Sequence, residues 1–156
     1  MAILLRDADI QKLLEEKKPL PANFRQQLST KPKHGHKEGE LAVKGVDGSE
    51  FHLIIRQSDT NPLDFSVILA YTLPRINKSI ILCRYNGKHE DTNRLERQTF
   101  YDFHIHKITE RYQDSSFKGE TFADSTDRYS DLDGAIECLI IDCGFILPFE
   151  PQGKLF

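Results

Sequence analysis

The sequence predicts an α+β domain: an N-terminal helix, an antiparallel meander of about five strands, and a C-terminal helix packed on one sheet face. Three observations carry this. Apolar residues recur at helical spacing near both ends of the chain; strand-like composition dominates residues 41–108, broken by the turn pairs Asp47-Gly48, Asn61-Pro62 and Asn86-Gly87; and 156 residues with 38% hydrophobic content are enough to close one core.

Asp7 is placed to cap a first helix over 7–18, in which Ile10, Leu13 and Leu14 share a face, the Lys17-Lys18 pair complements the dipole and Pro19 ends the run. Pro21 opens a short turn carrying Phe24 and Leu28. Residues 29–40, rich in Lys, Gly and His, read as a mobile linker. Strands are expected at 41–46, 51–58, 64–72, 79–85 and 98–108, the first two joined by the tight turn that Asp47-Gly48 favours. Thr109 to Tyr129 shows little periodicity and reads as irregular surface. Ser130 or Asp131 then caps a helix to Cys143 whose Leu132, Ala135, Ile136, Leu139, Ile140 and Cys143 form one broad stripe, with Gly144 at its left-handed exit. The chain thus divides into a helical segment 1–28, a linker 29–40, an α+β core 41–148 and a tail 149–156, one domain overall.

No apolar run is long enough to span a bilayer as a helix, and no leader-like pattern opens the chain, so a cytoplasmic protein with no membrane partner is expected. The three cysteines are expected to be reduced and largely buried, since Cys138 and Cys143 stand about 140° apart on one helix and Cys83 lies in an apolar strand. A formal net charge of −3 excludes a global basic field. Its distribution is uneven: Arg75 to Arg111 holds eight Lys/Arg against five Asp/Glu, whereas Asp114 to Glu137 holds seven acids against two bases.

The chemistry-bearing segment is Phe100 to Ile108. Alternation puts Tyr101, Phe103 and Ile105 toward the core and leaves Asp102, His104 and His106 on a solvent-facing polar side, an HxH pair about 7 Å apart. His89 and Asn93, in the preceding loop, can approach its edge, and Arg84, Lys88, Arg94 and Arg97 supply cations nearby. Guanidinium forks suit phosphate oxygens and imidazoles move protons near neutral pH. A metal site would need His89, Asp91 or Asp102 as its third ligand, and neither a metal nor a cofactor is expected. His34 and His36 stand in the linker, where no fixed geometry is expected. His52 reads as a surface strand histidine, Tyr112 as an edge residue able to stack on a base, and Arg128-Tyr129 as a staple for the last helix.

The run RYNGKHEDTNRLERQTFYDFHIHKITERYQ, with TDRYSDLDGAIECLIIDCGF after it, resembles a family of small uncharacterised bacterial proteins, frequent in cyanobacteria and classified as a domain of unknown function. The likeness spans roughly Glu50 to Phe145. It implies His89, Asn93, His104, His106 and Tyr112 as the polar positions of a site and implies no activity. In architecture alone the chain also resembles the RelE-like ribonuclease toxins, with helices before an antiparallel sheet that uses basic and imidazole side chains.

The favoured reading is a module binding phosphate or nucleic acid, RNA or a single strand, with metal-independent ribonuclease activity as its catalytic form: His104, His106 and His89 catalytic, and Arg84, Asn93, Arg94, Arg97 and Tyr112 binding substrate. A metal-binding hydrolase built on the HxH pair is the alternative. A third is a non-enzymatic toxin–antitoxin-type or regulatory module whose acidic segment Asp114 to Glu137 docks a basic protein. If the histidines face solvent, replacing either with alanine leaves stability nearly intact, whereas Leu139→Ala costs about 2–5 kcal/mol.

Overall fold

The structure, a computed structural model, describes residues 5–88, 91–93, 95, 98–113 and 122–148. Helix α1 (Asp7–Glu15) buries Ile10 and Leu13 and carries Asp7 and Asp9 in its first turn, where carboxylates suit the dipole. Its N-cap is Arg6, whose main-chain N–H donates to the Asp9 carboxylate at 3.2 Å. The helix ends short of residue 18 because Lys18–Pro19 extends as strand β1. Helix α2 (Phe24–Leu28) buries the two apolar residues that the sequence pairs.

Residues 29–40 are not a linker. Strand β2 (Lys31–Lys33) turns back into β3 (His36–Lys44), with Lys31 opposite Glu38 and Lys33 opposite His36. Strand β4 (Glu50–Ser58) follows a turn in which Gly48 takes φ +90°, then come β5 (Phe65–Leu73) and β6 (Lys78–Asn86), all antiparallel neighbours. The strand expected at 98–108 is broken. Strand β7 (Asp91–Asn93) pairs with β8 (Gln98–Phe100) in a separate hairpin, and only β9 (His104–Lys107) joins the sheet. Residues 101–103 have no strand pairing, so Tyr101 is 64% exposed rather than in the core.

Helix α3 (Glu110–Gln113) and strand β10 (Phe122–Ser125) replace part of the expected irregular stretch. Helix α4 (Leu132–Asp142) starts where the Asp131 carboxylate accepts from the Gly134 N–H at 2.8 Å, and β11 (Phe145–Ile146) leaves through Gly144 at φ +72°. A Cβ at Gly144 would sit 2.9 Å from the Glu16 carbonyl oxygen, so the close approach of the two helix ends requires glycine there.

The main sheet has seven strands in the order β10-β9-β6-β5-β4-β3-β2, all antiparallel, with α4 against β5 and β6. The expected five-strand meander is its centre, with β2 and β10 added at the edges. The helix-side face carries Leu41, Val43, Phe51, Leu53, Val67, Leu69, Cys83 and Tyr85, which form one cluster with Ala135, Ile136, Leu139 and Ile140 of α4. Among the described residues no helix is long and apolar enough to cross a membrane.

The two ends of the described chain meet at Lys18. Strands β1 and β11 pair in parallel, and Lys18 is fully buried, with Nζ 2.8 Å from the Leu13 and Glu16 carbonyl oxygens, 3.2 Å from that of Leu14 and 2.6 Å from that of Cys143. The ammonium also lies over the Phe51 ring at 4.5 Å. One cation therefore satisfies the C-terminal carbonyls of α1 and of α4 together. Burial pushes its pKa down to about 8, against the nearby Cys143 and Glu16, which raise it.

Candidate functional site

Antiparallel register brings β6 and β9 side by side with Arg84 opposite His106 and Asn86 opposite His104. All four project from the face opposite α4, because Tyr85 and Ile105, between them, belong to the helix-side core. The predicted separation of histidine face from helix face therefore holds. The predicted exposure does not: His104 is 0% and His106 3% exposed, so this part of the far face is interior rather than wet. Alternation assigns a residue to a face but says nothing about whether that face is covered.

The geometry fixes His104. Its Nδ1 lies 2.7 Å from the Asp102 main-chain oxygen, which can only accept, so Nδ1 carries the proton and donates. Its Nε2 then accepts from the Asn86 amide nitrogen at 3.3 Å. Both nitrogens are engaged by neutral partners, and the ring is held as one tautomer. The His106 ring packs edge-on against it with centroids 5.0 Å apart. Asn86 is 2% exposed, and its Oδ1 has no hydrogen-bond partner among the described residues.

The pair of strands is clamped from the side by Tyr129, whose hydroxyl donates to the main-chain oxygens of Asn86 at 2.7 Å and His104 at 3.0 Å. Its ring packs against Phe65, Tyr85 and Phe103. Arg128 makes a two-pronged bond to the Asp142 carboxylate at 2.7 and 2.8 Å, and the Tyr85 hydroxyl donates to the same group. Burial works to raise the Asp142 pKa, but the guanidinium and the hydroxyl outweigh it and hold the carboxyl below its usual range. Arg128-Tyr129 is thus a tie between α4 and the site strands rather than a helix staple. The signal missed in the sequence is an Arg-Tyr pair just before a helix whose last turn carries an acid.

Beside this clamp opens a cleft of about 750 Å³, lined by Lys88, Asp102, Phe103, Ser125, Thr126 and Tyr129. Lys88 Nζ stands 5.3 Å from the centre of the Phe103 ring. Ser125 pairs in register with His104, so the cleft borders the histidine through that strand pair. Asp102 meets His104 through its carbonyl, not its carboxylate, and no group of three His, Cys, Asp or Glu comes together to hold a metal among the described residues.

Of the other expected site residues, His89, Arg94 and Arg97 lie outside the described residues. Asn93 contributes backbone to β7 and Tyr112 to α3, with side chains outside the description. The acidic segment falls partly outside it as well, at 114–121. His52, half-buried, pairs with Glu40 at 3.0 Å on the sheet surface, the role the sequence gives it. His36, expected in a linker without fixed geometry, is held on β3 with Nε2 3.5 Å from Glu38. Cys83 and Cys143 are buried with Sγ atoms 3.9 Å apart. Comparison of the chain with protein-family models, curated proteins and solved structures yields no match.

Proposed function

We propose that this chain binds a phosphate-bearing ligand, nucleic acid foremost, at the Arg84–Asn86–His104–His106 cluster, and that its catalytic form is metal-independent phosphodiester cleavage. The observation that carries this reading is the paired register, which sets a guanidinium, an amide and two imidazoles side by side, with the two imidazole rings 5.0 Å apart. A guanidinium offers a fork of donors to phosphate oxygens, and an imidazole moves a proton near neutral pH. The two histidines take different roles. His104, with both nitrogens engaged, positions the cluster; proton transfer falls to His106 and phosphate contact to Arg84.

Fluorescence anisotropy with a labelled single-stranded RNA tests the reading. Binding should weaken with salt, and Arg84→Gln should lower the slope of log affinity against log salt by about 0.7, one phosphate contact on a single strand. Cleavage should survive EDTA and disappear in His106→Gln. An RNA that does not bind even at low salt removes the reading altogether.

A further inference from the structure

We propose that Cys83 and Cys143 form an oxidisable dithiol, which a peroxide converts into an intramolecular disulfide between strand β6 and the end of helix α4. Their Sγ atoms stand 3.9 Å apart although the residues are 60 positions apart in the chain. A disulfide needs about 2.05 Å, so rotation of the two side chains has less than about 2 Å to close. Cys138, the third cysteine, is engaged elsewhere: its thiol donates to the Arg128 main-chain oxygen at 3.6 Å.

Both thiols are buried, and a cavity of about 320 Å³ reaches them. Cys83 and Cys143 line it together with Gln11 and Glu15 of α1, Lys107 of β9 and Arg128, all four of which are exposed. The space therefore runs from solvent to the dithiol. A water molecule occupies about 30 Å³, and hydrogen peroxide is little larger, so the cavity admits it with room to turn.

Two ammonium groups act on the pair. Lys107 stands opposite Cys83 in register, and Lys18, bonded to the Cys143 carbonyl oxygen at 2.6 Å, lies close on the other side. The hydrogen bond to Cys143, together with burial, pushes the Cys83 thiol well up, while Lys107 and Lys18 work to lower it. The dithiol thus rests protonated, with cations beside it that favour the thiolate once a proton leaves.

The reaction balances within the pair and one peroxide. One thiol gives its proton to the cavity solvent, and its sulfur attacks a peroxide oxygen; the O–O bond breaks, hydroxide leaves and becomes water, and a sulfenic acid remains. The second sulfur then attacks the first. The S–O bond breaks, the S–S bond forms, and the departing hydroxide takes the second thiol's proton. Two thiols are oxidised and one peroxide is reduced to two waters. Because Cys143 is the C-cap of α4 and Cys83 precedes Arg84 on β6, the bond fastens the helix exit to the strand that carries the candidate site. The inference is independent of any RNA.

The test exposes the folded Cys138→Ser chain, which keeps only the two thiols in question, to hydrogen peroxide, with the same chain in denaturant as the reactivity control. After removal of peroxide, free thiols are blocked with a maleimide under unfolding conditions, and peptides are mapped by mass spectrometry without reductant. The expected result is that both thiols of the folded chain disappear together, the chain stays monomeric, and one linked peptide pair joins Cys83 to Cys143. Dithiothreitol should restore both thiols. Thiols that stay free in the folded chain, at an exposure that oxidises them in denaturant, would show two packed neighbours and no oxidation site. Oxidation that ends in sulfinic or sulfonic acid, or in bridges between chains, equally overturns the inference. Should Cys138→Ser fail to fold, the same mapping on the unsubstituted chain decides, since a Cys83–Cys143 bridge leaves Cys138 as the one blocked thiol.

Discussion

On the helix-side face of the sheet one register row runs Ile55, Val67, Tyr85, Ile105; one residue along each strand, on the far face, it runs Arg56, Ser66, Asn86, His104. The first is apolar but for the Tyr85 hydroxyl, whereas every side chain of the second carries nitrogen or oxygen. Yet Val67 and His104 are both 0% exposed. Burial and polarity are therefore independent here, and the two faces resist disruption for different reasons. Truncation on the helix side leaves a void; truncation on the far side leaves a polar group without its partner.

The largest effect should come from the void. Leu139→Ala, at a fully buried position of α4, is expected to cost about 2–5 kcal/mol in denaturant-induced unfolding. His104→Ala comes next, at about 1–3 kcal/mol, because it strands the buried Asn86 amide without its partner. That reverses the expectation drawn from alternation alone. A cost under about 0.5 kcal/mol would mean the far face is wet at this position after all. His52→Ala, on the same face but half-buried and paired only with Glu40, should cost less than about 1 kcal/mol, and so marks where the far face becomes surface.

A graded effect, spread over a pH window, concerns Lys18. The unfolded chain keeps this proton up to its ordinary value of 10.5, whereas the folded chain releases it from about 8, so between those values the unfolded state binds more protons and stability from this group rises with pH. Subtracting the pH profile of Lys18→Met from that of the unsubstituted chain isolates the contribution from Glu16, Lys17 and the two nearby thiols. A difference that falls from pH 8 to 10.5 would show that the ammonium is not held in the interior. The smallest effect is Tyr101→Ala, within about 0.5 kcal/mol, since that side chain is exposed.

What could be read from the residues follows from what periodicity encodes. The stripe of α4 and the alternation of 51–58 and 79–85 are properties of the segments themselves, so helix, meander and the face each residue points to were legible. Strand β2 was not, because Lys-Pro-Lys has no strand propensity of its own and exists as a strand only by pairing with β3. Burial of His104 was illegible for a related reason: coverage of a face is supplied by other segments. Lys18 misled most directly. A lysine at a helix end reads as a dipole partner in water, and only the arrival of a second helix end turns that partnership into an interior one.

That second helix end arrives late. Cys143, whose carbonyl completes the ring of acceptors around Lys18, is made 125 residues after it. At about 5–20 residues per second on a ribosome, the lysine is synthesised some 6–25 s before its permanent neighbour. Strand β1, whose sheet partner among the described residues is β11, must wait as long. The meander can pair strand by strand as it emerges, each against the one before, while the chain's first helix stays undocked at its C-terminal end. For this molecule the beginning of the sequence is among the last parts to reach its final place, and a ribosome paused anywhere before residue 143 holds a sheet whose lysine anchor has not yet been set.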